Sequence, residues 1–533
     1  MKPLTSVSRR RFLKLAALTA AGFAGRRSAS AEQAASTSPN LLFILTDQQR
    51  WDAMSCAGNT VLETPNLDRL AAGGAFFQNA MSSCPVCVPA RAVMLTGHST
   101  QNTGILGNSD YKKGAVVPYS SFDNILSGHG YQSEYYGKWH CPYHLASTYG
   151  NSVRLTGMRA PEGSLTEAAA YRAFVNANVP KQPLQSGEVL ETGTLYPYRP
   201  DPIDPRYGTR PEDTPSRRNG KPEVGQDTQY GQTKIPAEYS RTAFTAKETL
   251  EALERLKDGP FSLTCSIDPP HPPMVVSEAY HGKYPAGDMP IPDSINDTME
   301  NSPYARRAKT MPDYIDRETI GYMTSNYYGL VKEIDDWVGK ILDKLALLGL
   351  EDNTLVIFTS DHGEMLGAHG MKSKMTFYEE SVHVPLIMRL PTRIRPGSVV
   401  STPVSHIDFF ATILDYLEIP SQPSDGRSLR PLIEGRESGA PDYAISEWKG
   451  RSVPNFMVRT EDWKLMIANQ RKSRSLDALY HLKEDPQERN NLIGENPNKA
   501  QYSAQAQAMK NRVIEWLRKT DSPHLEEVIA REL

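Results

Sequence analysis

The chain has 533 residues, 39% of them hydrophobic and 23% charged, the balance of a folded globular protein rather than a disordered or fibrous one. Its formal net charge of -3 supplies none of the strongly basic surface that nucleic-acid binding needs. The length exceeds what one hydrophobic core organises, so a large domain followed by a smaller one is expected.

At the N-terminus, Ser8-Arg9-Arg10-Arg11-Phe12-Leu13-Lys14 precedes a short apolar run and then Ala29-Ser30-Ala31. Paired arginines before Phe-Leu-Lys, an apolar run too short to span a bilayer and a small-residue cleavage site predict a twin-arginine (Tat) signal peptide over residues 1–31. This expectation makes the Tat export machinery a partner and the mature product periplasmic or secreted. No later apolar stretch is long enough for a transmembrane helix, so no stable membrane insertion is expected. The five cysteines, Cys56, Cys84, Cys87, Cys141 and Cys265, are few and odd in number. A chain exported already folded acquires its fold in a reducing cytoplasm, which argues against a disulfide framework.

Leu41-Leu42-Phe43-Ile44-Leu45 is a continuous apolar run ending at Thr46-Asp47, and Leu355-Val356-Ile357-Phe358 is another, ending at Ser360-Asp361-His362. A third, residues 261–267, ends at Asp268-Pro269-Pro270-His271. Unbroken apolar character belongs to strands of parallel sheets covered on both faces, whose sites open at the strands' carboxyl ends. Residues 150–240, rich in Pro, Tyr, Gly and charge without a sustained period, read as long surface loops. An amphipathic helix is predicted over residues 327–348, stopped by Gly349. Strand after helix in this order predicts an α/β architecture with a mostly parallel sheet. After a Pro- and Gly-bearing stretch over residues 420–439, a strand at 463–467 and a helix at 504–517 mark the smaller domain. The divisions are a signal peptide over 1–31, a catalytic domain over 32–430 and a C-terminal subdomain over 431–533.

The most informative segment is Cys87-Val88-Pro89-Ala90-Arg91-Ala92-Val93-Met94-Leu95-Thr96-Gly97. Pro89 suits the first turn of a helix, whose free N–H groups and positive dipole end favour an anion beside Cys87. Arg91 adds a permanent charge with a fork of donors. A Cys84-x-x-Cys87 dithiol and a buried structural cysteine are the competing readings; thioredoxin-like size and context are missing, and a structural cysteine explains neither Pro89 nor Arg91. The string resembles the sulfatase signature Cys-x-Pro-x-Arg followed by Leu-Thr-Gly. Thr64-Pro65-Asn66-Leu67-Asp68-Arg69-Leu70 and Leu479-Tyr480-His481-Leu482-Lys483-Glu484-Asp485-Pro486 extend the resemblance over most of the chain.

That resemblance implies an alkaline-phosphatase-like sandwich with a small C-terminal domain of antiparallel sheet and helix. It implies that a formylglycine-generating enzyme oxidises Cys87 to formylglycine, and that Asp47, Gln48, Asp361, His362 and the modified Cys87 hold calcium. The commonest pattern has a second aspartate at position 48 and often asparagine at 362, so Gln48 and His362 leave manganese, magnesium and zinc open. Gly137-Lys138-Trp139-His140 resembles the family's Gly-Lys-Trp motif, in which lysine and histidine flank the formylglycine. Their spacing puts both on one side of an extended chain. Lys374 and His271 match positions that contact the sulfate, and either is placed to protonate the leaving oxygen. His369 and His383 read as structural or substrate-supporting.

The implied reaction is hydrolysis of a sulfate ester, on a sulfated small molecule or glycan, by a formylglycine hydrate whose attack Arg91, Lys138 and Lys374 assist by spreading charge. Loss of a proton from the second hydroxyl to His140 would then expel sulfate. Two rival readings are a phosphonate or phosphodiester hydrolase of the same superfamily and a non-catalytic secreted glycan-binding relative. The second conflicts with the complete set of ligand and basic residues.

Overall fold

The computed structural model describes residues 38–110, 116–142, 167–180, 230–233, 235–305, 317–436, 441–450, 453–469 and 475–533, with short strand pairs between 189 and 222. The signal peptide read over residues 1–31 lies outside these residues.

Seven strands form the central sheet: β1 (Asn40–Asp47), β2 (Ala75–Phe77), β3 (Gln132–Gly137), β4 (Phe261–Pro270), β5 (Thr354–Ser360), β6 (Leu386–Arg389) and β7 (Ser398–Val400). Their order is β7-β2-β6-β5-β1-β4-β3, and only β6 runs antiparallel to its neighbours. Successive side chains of a strand point to opposite faces. Accordingly Leu41, Phe43 and Leu45 enter one core with Phe122, Phe409 and Ile413, while Leu42 and Ile44 enter the other with Leu253, Ile334 and Val338. Each such side chain, removed from water, contributes about 1.5–3 kcal/mol. The unbroken apolar runs are therefore strands covered on both sides, and their carboxyl ends share one edge.

Five helices matter to the site: α1 (Cys87–Thr96), α2 (Glu167–Asn178), α3 (Arg241–Leu256), α4 (Arg317–Leu347) and α5 (Ser503–Lys519). Helix α4 begins ten residues before the expected 327. Gly321 and Gly329 dilute its apolar pattern, yet a Cβ at either would stand 2.6 Å from the Ala286 carbonyl or 3.0 Å from that of Tyr280. They are interior glycines that let other backbone approach the helix. The loop reading of residues 150–240 also needs correction. That stretch contains α2, whose Tyr171 and Val175 form an apolar cluster with Phe244, and a buried strand, Tyr230–Thr233, paired with Met274–Ser277.

The smaller domain is an antiparallel sheet, β8 (Ala444–Glu447), β9 (Phe456–Arg459), β10 (Trp463–Ile467) and β11 (Ala478–His481), covered by α5 through Met509, Val513 and Leu517. It is fastened to the larger one by Lys464. That fully buried ammonium meets Glu379 at 2.6 Å, Glu488 at 2.9 Å and the Phe377 carbonyl at 2.9 Å. All five cysteines are unpaired. No described helix is long and apolar enough to cross a membrane.

One buried acid makes stability pH-dependent. Asp123 accepts a 2.6 Å hydrogen bond from the Ser262 hydroxyl, and burial pushes its pKa up to about 7. A raised folded-state pKa means that the folded protein holds the proton longer than the unfolded chain. Stability from the neutral acid is thus complete below the unfolded value near 4 and is lost as pH rises towards 7. Asp123→Asn should therefore gain on the wild type by about 2–3 kcal/mol between about pH 5 and pH 8, read from urea unfolding at each pH.

Candidate active site

β1 and β5 run in parallel with Thr46 opposite Ser360, so Asp47 and Asp361 emerge side by side at the sheet's edge. Neither has any exposure. Two buried carboxylates so close repel, and cations from three directions hold them. The Arg91 guanidinium, one turn into α1, meets Asp361 through Nε at 2.9 Å and Asp47 through Nη2 at 3.1 Å. Its Nη1 donates to the Lys138 carbonyl at 2.7 Å and to the Ser266 hydroxyl at 3.0 Å, so every nitrogen of the fork is used.

Because α1 begins at Cys87, the same helix that delivers Arg91 sets residue 87 against the carboxylates. Cys87 Sγ lies 3.1 Å from His362 Nε2 and 4.0 Å from Asp47 Oδ1. His362 Nδ1 is 3.0 Å from the Gly363 carbonyl, an acceptor only, so Nδ1 carries a proton and Nε2 faces the cluster; burial pulls the ring's pKa down, but Asp361 and Cys87 raise it above its ordinary value. Burial and the Asp47 charge push the Cys87 thiol up, but Lys374, His362 and a hydrogen bond from His140 outweigh them and hold it well below its ordinary range.

Lys138 follows β3 directly. Its Nζ is held between Asp47 Oδ2 at 2.9 Å and Asp268 Oδ1 at 2.8 Å, the latter from the end of β4. Gly137 makes this possible: its φ is +90°, and a Cβ there would lie 1.8 Å from the Ser266 carbonyl oxygen. Past Lys138 the chain turns, with His140 at φ +42°, so the expected extended Lys138–His140 pair is a turn that still brings His140 to Cys87.

Gln48, also left-handed at φ +72°, donates its backbone N–H to Asp361 Oδ1 at 3.1 Å. Its amide oxygen accepts from Lys374 Nζ at 2.6 Å and its amide nitrogen donates to Glu364. His271 puts Nδ1 2.7 Å from the Pro272 carbonyl, and burial with Lys138 and Lys374 lowers its pKa to about 4. His369 pairs with Asp297 and stacks on Tyr378, while His383 pairs with Glu379 and stacks on Trp51. All eleven of Asp47, Gln48, Cys87, Arg91, Lys138, His140, Asp268, His271, Asp361, His362 and Lys374 thus belong to one connected set of contacts and charges. Asp268 and Glu364 were not singled out from the sequence. The one available signal was that Asp268 follows an apolar strand, as Asp47 and Asp361 do.

The donor set fits a divalent cation. One ligand atom each from Asp47, Cys87, Asp361 and His362 lies within 4.8 Å of the others. Burial, together with the Asp47 charge, pushes Asp361 up to about 6, the mark of two anions sharing too small a space. A metal between them would relieve that repulsion.

Comparison with known proteins agrees. The family model described as Sulfatase matches residues 39–419, and one described as N-sulphoglucosamine sulphohydrolase, C-terminal, matches 367–519. The chain belongs to the sulfatase family, and it is an enzyme of that family. It is 29% identical over 527 residues to the multifunctional alkaline phosphatase superfamily protein PehA of Trinickia caryophylli, covering 90% of this chain and 95% of that one. It is 28% identical over 496 residues to an arylsulfatase of Clostridium perfringens, covering 90% and 94%. To the N-acetylglucosamine-6-O-sulfatase of Bacteroides thetaiotaomicron it is 26% identical, covering 92% and 87%. Among solved structures, the phosphonate monoester hydrolase of Agrobacterium radiobacter shares the fold with a TM-score of 0.72 at 23% identity, covering 90% and 96%. A protein solved with its substrate D-glucosamine-2-N,6-O-disulfate aligns with a TM-score of 0.66 at 21% identity, covering 91% and 98%.

Gly137→Ala tests the backbone approach that delivers Lys138. The left-handed φ alone costs about 1–3 kcal/mol for a residue with a side chain, and the clash with Ser266 adds to it. The variant should melt lower than the wild type, and whatever folds should lose turnover more than Thr245→Ser, a neighbouring change of similar size.

Proposed function

We propose that this protein hydrolyses a sulfate ester on a sulfated carbohydrate outside the cytoplasm, using formylglycine formed from Cys87 and a calcium ion. The observation that carries the proposal is the buried cluster of Asp47, Cys87, Asp361 and His362, with Lys138 and Lys374 against it. Sulfate esters resist attack because their oxygens carry negative charge and their leaving alkoxide is poor. The site answers both difficulties.

Asp47, Asp361, His362 and residue 87 would hold the metal, beside Gln48, whose amide oxygen accepts from Lys374; once bound, the cation would withdraw charge from the sulfate oxygens. Conversion of Cys87 supplies, as the hydrated aldehyde, one hydroxyl that attacks and another that later expels the product. Arg91 fixes the two carboxylates, so their charge and direction do not relax during the reaction. Lys138 and Lys374 bring positive charge to the anionic substrate. His140, bonded to residue 87, is placed to take the proton of its second hydroxyl. Of the two candidate acids, His271 spends its Nδ1 proton on Pro272 and is otherwise kept neutral, so Lys374 carries the proton for the departing oxygen.

The carbohydrate assignment draws on the relatives named for N-acetylglucosamine-6-O-sulfate and bound to glucosamine disulfate. The phosphonate reading draws on the Agrobacterium phosphonate monoester hydrolase, which shares the fold. The two readings separate on paired esters. With protein made alongside a formylglycine-generating enzyme, mass spectrometry of the residue 87 peptide should show aldehyde in place of thiol. That preparation should release sulfate from sulfated glycans, lose turnover on chelation and regain it best with calcium. Cys87→Ala should fall to background. Preference for a phosphonate monoester over its matched sulfate ester would overturn the substrate class, and recovery only with manganese would replace calcium.

A further inference from the structure

Asp268 is a carboxylate at the rim of a site that must admit an anion, and elementary electrostatics makes that unfavourable unless the group has another task. It is 26% exposed, against 14% for Lys138 and none for Asp47. Its two oxygens are divided: Oδ1 holds Lys138 Nζ at 2.8 Å, and Oδ2 meets Arg241 Nη1 at 3.3 Å. Arg241 stands at the start of α3, its guanidinium 5.3 Å above the Tyr171 ring of α2. A line of alternating charge thus runs from the rim to the cluster: Arg241, Asp268, Lys138, Asp47, Arg91, Asp361.

The backbone builds this line. β3 and β4 are paired with Gly137 opposite Ser266, so Lys138, just past the end of β3, lies beside Asp268 near the end of β4. The Lys138 backbone is fixed as well, its N–H donating to Ser266 and its carbonyl accepting from Arg91, Tyr135 and Ser266. The long lysine side chain has several rotatable bonds, and one anchor at Asp47 leaves it free to swing about that point. The second anchor, on the other side of the nitrogen, removes this freedom.

From this geometry we infer that Asp268 is a positioning residue, which holds the Lys138 ammonium at the substrate anion and is itself steadied by Arg241. The inference rests on the proposed function only in taking Lys138 to meet the anion. Asp268 need not touch substrate. Its contribution acts entirely through Lys138.

A double-mutant cycle tests this, with inorganic sulfate binding by calorimetry as one readout and kcat/KM as the other. Asp268→Ala should weaken sulfate binding and lower kcat/KM, each by about tenfold, the scale of one charge-assisted hydrogen bond. Asp268→Asn, which keeps an acceptor for Nζ, should retain most of both. In a Lys138→Ala background, Asp268→Ala should add little to either loss. Tighter sulfate binding in Asp268→Ala would show that the carboxylate merely repels the anion and would overturn the inference, as would a full further loss in the Lys138→Ala background. If the wild type binds and turns over the phosphonate partner instead, the sulfatase reading fails, and the same cycle run on that ligand decides the role of Asp268.

Discussion

The site depends on one electrostatic problem, the burial of Asp47 and Asp361 at the ends of neighbouring strands. An ionised carboxylate taken out of water without a partner is prohibitively unfavourable, and two together are worse. Arg91 answers with a fork that touches both, and its geometry does more than neutralise charge. The fork needs α1 at a fixed height and rotation, and α1 begins at Cys87. The requirement to compensate two buried anions therefore also sets the distance from Cys87 to Asp47, Asp361 and His362. Burial works against the Arg91 charge, yet Asp361 and Asp47 keep its pKa raised, so the compensation is permanent at any working pH.

The smaller domain contributes by bracing the far side. Lys464 of β10 reaches between Glu379 and Glu488 and to the Phe377 carbonyl, a few residues beyond Lys374. Glu379 in turn holds His383, whose ring lies 4.4 Å from that of Trp51, close in sequence to Gln48. Both flanks of the Lys374–Gln48 hydrogen bond are thus tied into a buried charged network. Removing one member of such a network leaves the other charges buried and unpaired, which is typically worth 3–5 kcal/mol. The C-terminal sheet is in this sense part of the catalytic domain's rigidity.

What the sequence made legible follows from which interactions are local. Apolar runs report burial on both faces of a strand, so β1, β4 and β5 and the aspartates closing two of them were readable directly. The signature around Cys87 was readable because a proline and an arginine at fixed helical offsets serve one local geometry. Asp268 and Glu364 were not readable as partners, because their roles arise from pairing between strands and loops far apart in the chain. Gly137 carries a steric requirement that appears only once β4 lies beside β3. The early start of α4 was hidden for the same reason, since glycines that admit neighbouring backbone look from sequence like helix breakers. Helix α2 was hidden by the Pro- and Gly-rich sequence around it.

The departure at position 48 changes the charge balance of the site. An aspartate there would place a third carboxylate beside Asp47 and Asp361. Glutamine contributes no charge. Asp47 and Asp361 then supply two negative charges, the number a divalent cation cancels, while Arg91 remains engaged with both and Lys138 and Lys374 stand beside them. Lys138 and Lys374 are each already committed to an acceptor, Asp268 and Gln48 respectively, of which only Gln48 is neutral. Lys374 therefore presents more of its charge to an incoming anion than Lys138 does. The amide at 48 thus fixes the Lys374 ammonium as the carboxylate at 268 fixes that of Lys138, but without cancelling its charge.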